Sequence, residues 1–291
     1  MKAAVAAPPR AAGIDAATWS AKETRPFLAA KYALKRSTRT SLRVLHRLGL
    51  VWKRPKRLLL KADAAKRAAF VEQYRTAVAE MERRRGRLFF VDEALFRADG
   101  DLRGLWVPKG EEALVPSSSP GRGEKVNYYG GVCLETGDVI GGEFTGNSTA
   151  AMSVAFLEGL RAQYAGPLTV IWDNGPAHHG PELREYLQTP DLDLTLLALP
   201  AYSPDYNPAE LVWKWLREEV TANTCFGTAA KVAAAVGQFF EEIDDRQAEV
   251  QQRCRSELQT AAFPETAKHP TRRARKLQLR RERALNTALA M

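Results

Sequence analysis

The chain has 291 residues, 45% of them apolar, enough for one full-sized core with a smaller module beside it. Its three cysteines, Cys133, Cys225 and Cys254, lie far apart and form no CxxC pair, which argues against a disulfide framework or a cysteine-based zinc site. No apolar run approaches the roughly 20 residues of a membrane helix, and Pro8, Pro9 and Arg10 break the start before a secretory stretch can form, so a cytoplasmic protein with no membrane role is expected.

The net charge of +9 is segregated: residues 18–61 sum to +12, residues 271–291 to +6, and the remainder to −9. Basic blocks of this kind attract phosphate backbones, and the acidic remainder is free to collect cations. Residues 1–17, rich in Ala and Pro without periodicity, read as a disordered leader. Residues 18–60 read as a helix-turn-helix. Trp19, Phe27, Leu28, Tyr32 and Leu34 fall at helical spacings, a Lys35-Arg36-Ser37-Thr38 break follows, and Leu42, Val44, Leu45 and Leu48 mark a second helix, with Ser37 or Thr38 at its start and Gly49 at its end. Arg39, Arg43 and Arg47 recur every fourth residue, so three guanidinium groups share one edge suited to a major groove. Lys53, Arg54, Lys56 and Arg57, stiffened by Pro55, extend the DNA-binding set along a segment that also reads as an exposed linker. Residues 61–86 read as a linking helix that spaces two domains, its apolar side made of Ala65, Ala69, Tyr74, Val78 and Met81.

From residue 87 the period becomes that of strands. Residues 88–92, 102–107, 125–134 and 138–144 are strand-like, and three antiparallel strands in a row are implied. A helix over 150–164, an apolar strand at 167–172, a helix opened by Pro181, a strand at 194–200, a long helix from Pro208 and a further helix over 228–243 follow. This predicts an α/β fold: an RNase H-like mixed sheet flanked by helices over 87–245, behind a small all-α N-terminal module and ahead of a basic tail, 246–291.

Three carboxylates fall where one cleft can gather them: Asp92 closing the first strand, Asp173 after the buried strand, and Glu210 in the first turn of the late helix. Cleavage of a phosphodiester with two metal ions needs such a set, and carboxylates without clustered Cys or His favour Mg²⁺ or Mn²⁺ over zinc. Each also has an ordinary reading. Alternation alone does not choose between Asp92 and Glu93, which point to opposite faces; Asp173-Asn174-Gly175-Pro176 is a good turn; and Asn207, Pro208 and Glu210 form a capping-box-like helix start. Trp213 and Trp215 read as core.

The blocks around these acids carry more. IWDNGPAHH (171–179) and LPAYSPDYNPAELVWKWLR (199–217) closely resemble the second and third signature blocks of mariner-like bacterial insertion-sequence transposases of the DDE superfamily, and VDEALF (91–96) with LWVPKG (105–110) resembles the first. The resemblance implies that Asp92, rather than Glu93, is the first metal ligand, Asp173 the second and Glu210 the third, with 36 residues between the last two. It further implies two Mg²⁺ ions per site, replaceable by Mn²⁺. Site support would come from Asn174, His178, His179 and Asn207. The activity implied is binding of terminal inverted repeats, hydrolysis at the transposon ends and joining of the 3′-hydroxyl to target DNA, at a TA step. The partners would be double-stranded DNA and a second copy of the chain, in a bacterial cytoplasm at the nucleoid, with no small-molecule substrate. Relatives carry two helix-turn-helix units and this chain has room for one, so a shortened or frameshifted copy is an expectation too. Rival readings are a DNA-binding derivative that no longer cuts, and an RNase H-like nuclease acting on hybrids or junctions.

Overall fold

The computed structural model describes residues 1–53, 61–118 and 123–264, and the chain divides into two compact units, Met1–Leu58 and Leu59–Met291. Arg54, Lys56 and Arg57, and the basic stretch from 265 onward, lie outside the described residues.

The first unit is built on two helices. In α1 (Ala21–Tyr32) the Ser20 hydroxyl accepts the Lys22 N–H, and Ala33, in the left-handed region, returns its N–H to Leu28. In α2 (Thr38–Arg47) Ser37 is the cap, accepting from Thr40, and Gly49 at φ +73° ends the helix, where the missing side chain removes the usual penalty. Phe27 and Leu28 of α1 are buried, with Trp19 edge-on to Phe27 at 5.4 Å. Residues 1–17 differ from the expected disordered leader. They form short 3₁₀ turns at Ala4–Ala6 and Pro9–Ala12, Pro9 is buried, and the Trp19 indole donates to the Ala7 carbonyl at 2.7 Å. The Trp19 and Tyr32 side chains, hydrogen-bonded to Ala7 and to the Met1 amino group, supply partners that the leader's own composition did not reveal.

The second unit begins with α3 (Ala64–Arg84), capped by Asp63, whose carboxylate accepts the N–H groups of Ala65 and Lys66. This helix is not a spacer. Phe70, Val71, Tyr74, Val78 and Met81 are buried in the main core, whereas Ala65 and Ala69, expected on its apolar side, are exposed. The bulky side chains set the buried stripe, and the alanines, compatible with either face, do not.

Five strands follow the order β3-β2-β1-β4-β5: β1 (Arg87–Arg97), β2 (Lys125–Val132), β3 (Val139–Phe144), β4 (Leu168–Trp172) and β5 (Leu194–Ala198). The first three are antiparallel, and β4 and β5 run parallel to β1. This is the RNase H-like arrangement. Residues 102–107 form no strand: β1 is already paired with β2 on one side and β4 on the other, and the segment remains open, with Trp106 fully exposed.

Helices cover both faces. Leu88, Phe90, Ala94 and Phe96 of β1 pack toward α3, α6 (Ala209–Leu216) and α7 (Ala229–Ile243). Phe89 and Val91 pack toward α4 (Ala150–Gln163) and α5 (Pro181–Tyr186). The expected long helix from Pro208 is instead the short α6, continued by a π turn over Arg217–Thr221. The tail also starts later than residue 246, because α8 (Gln247–Arg253) and α9 (Glu257–Ala262) bury Val250, Cys254, Leu258 and Ala262 in the main core.

Candidate active site

The crevice arises from unequal strand lengths. Parallel pairing of β1 with β4 ends at Phe90–Ile171, while β1 runs on to Arg97 beside β2. Asp92 therefore lies within β1 rather than at its end, but just past the point where its parallel partner stops, and Asp173 follows Trp172 as that partner turns away. A gap at the carboxyl ends of parallel strands is where α/β sheets place ligands.

Opposite Asp92 on β2 stands Gly130, and a Cβ there would collide with the Trp213 ring. The glycine lets α6 lie against the sheet. That close packing brings Glu210, in the first turn of α6, to the face that carries Asp92.

Electrostatics ties the acids together. Burial, and then the charges of Glu210, Glu93 and Asp173, push the Asp92 carboxyl up to about 8. Glu210 is likewise raised, by loss of hydration and by Asp173, against the opposing pull of Arg217. Carboxyls that repel one another and that water does not fully relieve form an oxygen-donor set suited to hard divalent cations. Asp173 and Glu210 are exposed and Asp92 is half-buried, so the cleft is open to a large substrate.

Asn207 fixes this geometry. It is buried, donates through Nδ2 to the Val91 carbonyl at 3.1 Å and accepts the Ala209 N–H at 3.1 Å, joining the residue before Asp92 to the start of α6. Its own N–H goes to the Pro204 carbonyl at 3.0 Å. Glu210 is thus not the returning arm of a capping box, and its carboxylate is left to the cleft. Asn174 donates to the Leu199 carbonyl at 2.8 Å, holding the turn after β4 against the chain that leaves β5.

His178 and His179 part company. His178 is buried, stacked on Trp172 at 4.1 Å, with its Nε2 3.4 Å from Asp173 and 3.6 Å from Glu93. His179 is exposed, and its described hydrogen bonds are made by its backbone. Among the described residues, the set whose donor atoms all lie within 4.8 Å of one another is Glu93, Asp173 and His178, and not Asp92, Asp173 and Glu210. Glu93 is the residue that sequence reasoning set aside; its signal was its place beside Asp92, which alternation turns to the second face. Arg39, Arg43, Arg47 and Lys53 are exposed in the first unit.

A family model described as DDE superfamily endonuclease matches residues 87–232, half of the chain. The protein belongs to the DDE superfamily endonucleases. A second model, winged helix-turn helix, matches residues 15–74 of this DDE endonuclease. Solved structures sharing the fold include the Mos1 mariner paired-end complex with Mn (TM-score 0.59, 17% identity, 84% of this chain and 75% of that one). The same complex with Mg (0.58, 17%, 84% and 78%) and the Mos1 transposase paired-end complex with left transposon end (0.57, 16%, 86% and 79%) are similar too. No curated protein matches the chain. Among the described residues no helix is long and apolar enough to cross a membrane.

Proposed function

We propose that this DDE endonuclease is a DNA transposase that binds the terminal inverted repeats of its element, hydrolyses a phosphodiester at each end and joins the freed 3′-hydroxyl to target DNA. The observation that carries the reading is Asp92: a carboxyl held at about 8 by burial and by three neighbouring acids is costly in the ligand-free protein and useful where cations collect. Asp92, Asp173 and Glu210 are assigned as metal ligands, holding two Mg²⁺ or Mn²⁺ ions. When bound, such ions activate the attacking water or 3′-hydroxyl and stabilise the leaving oxygen. The chain's own part is to present the carboxylates at an open cleft and to keep α6 registered on β1 through Asn207. Exposed Arg39, Arg43, Arg47 and Lys53 are assigned to the DNA backbone and groove, and two copies acting on two ends imply a dimer on DNA.

The test is Glu210→Gln. Glutamine retains helix propensity and size, so a merely structural residue predicts little change. The expected outcome is a folded protein that binds the element's ends normally, with Mg²⁺-dependent end nicking lowered by at least on the order of 10²–10³-fold, the size of losing one electrostatic contributor to a transition state. Normal nicking by the variant would refute the assignment.

A further inference from the structure

Glu93 adjoins Asp92 but faces the second side of the sheet, and the assignments above leave it unused. It is not idle. Its Oε1 accepts from the Ser148 hydroxyl at 2.8 Å, and Ser148 is hydrogen-bonded to the hydroxyl of Tyr129, Glu93's cross-strand neighbour on β2. Burial raises the Glu93 carboxyl, but hydrogen bonds and charge from His178, with Ser148 and Tyr129, outweigh it and hold the group below the usual range.

His178 is fixed as firmly. Trp172 stacks on one face of the ring. The Ser153 hydroxyl, which donates to the Ala177 carbonyl at 3.0 Å and is hydrogen-bonded to the Tyr129 hydroxyl, lies 3.3 Å from Nδ1. Nε2 then faces the gap between Glu93 Oε2 and Asp173 Oδ1. Of the three, Asp173 is the most open to solvent, with 59% of its side chain exposed, held otherwise by the Gly175 N–H at 2.7 Å.

We propose that Glu93 and His178 are a positioning pair for Asp173, setting its carboxylate at the mouth of the cleft from the reverse face of the sheet. The proposal rests on Asp173 being a metal ligand. Partners of this kind, one bond removed from a ligand, orient it and raise its affinity for the ion.

The experiment titrates Mg²⁺ against end nicking by the full chain carrying Glu93→Gln, His178→Gln or Ser148→Ala. The first two are expected to raise the half-saturating Mg²⁺ concentration by about 10-fold or more, the range for loss of such partners, with the rate at saturating Mg²⁺ within a few-fold of the unaltered protein. Ser148→Ala, the mildest change, should raise it about threefold, a lesser share of the same effect, and guards against a misfolded His178→Gln. Lower thermal stability with unchanged half-saturation in Glu93→Gln and Ser148→Ala would overturn the pairing. So would a ¹⁴N coupling to bound Mn²⁺ in the spin-echo spectrum that disappears in His178→Gln, since His178 would then be a ligand itself. Asp173→Asn separates the two levels: if it nicks normally, the site assignment falls; if it is dead while Glu93→Gln titrates normally, the pairing alone falls.

Discussion

The two compact units solve opposite problems. The second buries a continuous apolar set on both faces of a five-stranded sheet, and its acids are raised on that rigid frame. The first buries few large side chains, chiefly Phe27 and Leu28, and turns three arginines of α2 to solvent. Chemistry that needs carboxylates held in place sits where packing is deep; contact with a long, uniform, charged polymer needs only an exposed edge.

The comparison breaks most visibly in the core. Trp213→Ala should cost the second unit about 3–5 kcal/mol, the usual range for a buried tryptophan, because the buried ring fills the space over Gly130. Urea unfolding of the unaltered and altered chains gives the difference, and a cost near zero would mean that the sheet does not depend on α6.

A smaller effect sharpens the account of Asp92. Its folded value, about 8, lies above the ordinary 3.8, so the folded state holds a proton that the unfolded state has released at intermediate pH. Stability of the metal-free protein should therefore fall as pH rises from about 4 to about 8 and level off above that. Asp92→Asn removes the cost: it should abolish nicking while stabilising the metal-free protein by about 0.5–2 kcal/mol above pH 8, and by nothing below pH 4. Melting curves at the two extremes decide this, and equal shifts at both would dismiss the electrostatic cause.

The smallest effect belongs to the first unit. Arg43→Ala should weaken binding to DNA of any sequence and lower the slope of log affinity against log salt by about 1, leaving nicking of bound ends unchanged. A loss confined to one sequence would make Arg43 a base reader instead.

Much of this was legible in the chain. The strands β1, β4 and β5, the cap at Ser37, the helix start at Thr228 and the burial of Trp213 and Trp215 follow from local periodicity and capping chemistry. What escaped depended on partners distant in sequence. The 102–107 segment has strand composition, but both sides of β1 are already taken by β2 and β4; α3 looks like a spacer until its aromatic side chains meet the sheet; and α8 and α9 hide in a polar stretch because their inward apolar side chains, Val250, Cys254, Leu258 and Ala262, are sparse. In the site, the acids were visible through their signature blocks. The surroundings of Glu93 were not, because its neighbours Ser148 and His178 come from segments that alternation cannot place.

The last described helix carries a practical corollary. Ser256 of α9 donates to the Tyr206 carbonyl at 3.2 Å, and Arg75 of α3 donates to the Ala262 carbonyl at 2.7 Å, so the stretch leading into α6 is propped from below by residues far downstream. A shorter chain ending near residue 245 would keep Asp92, Asp173, Glu210 and the arginines of α2 and still lose that prop. Intact signature blocks therefore do not by themselves guarantee an intact site.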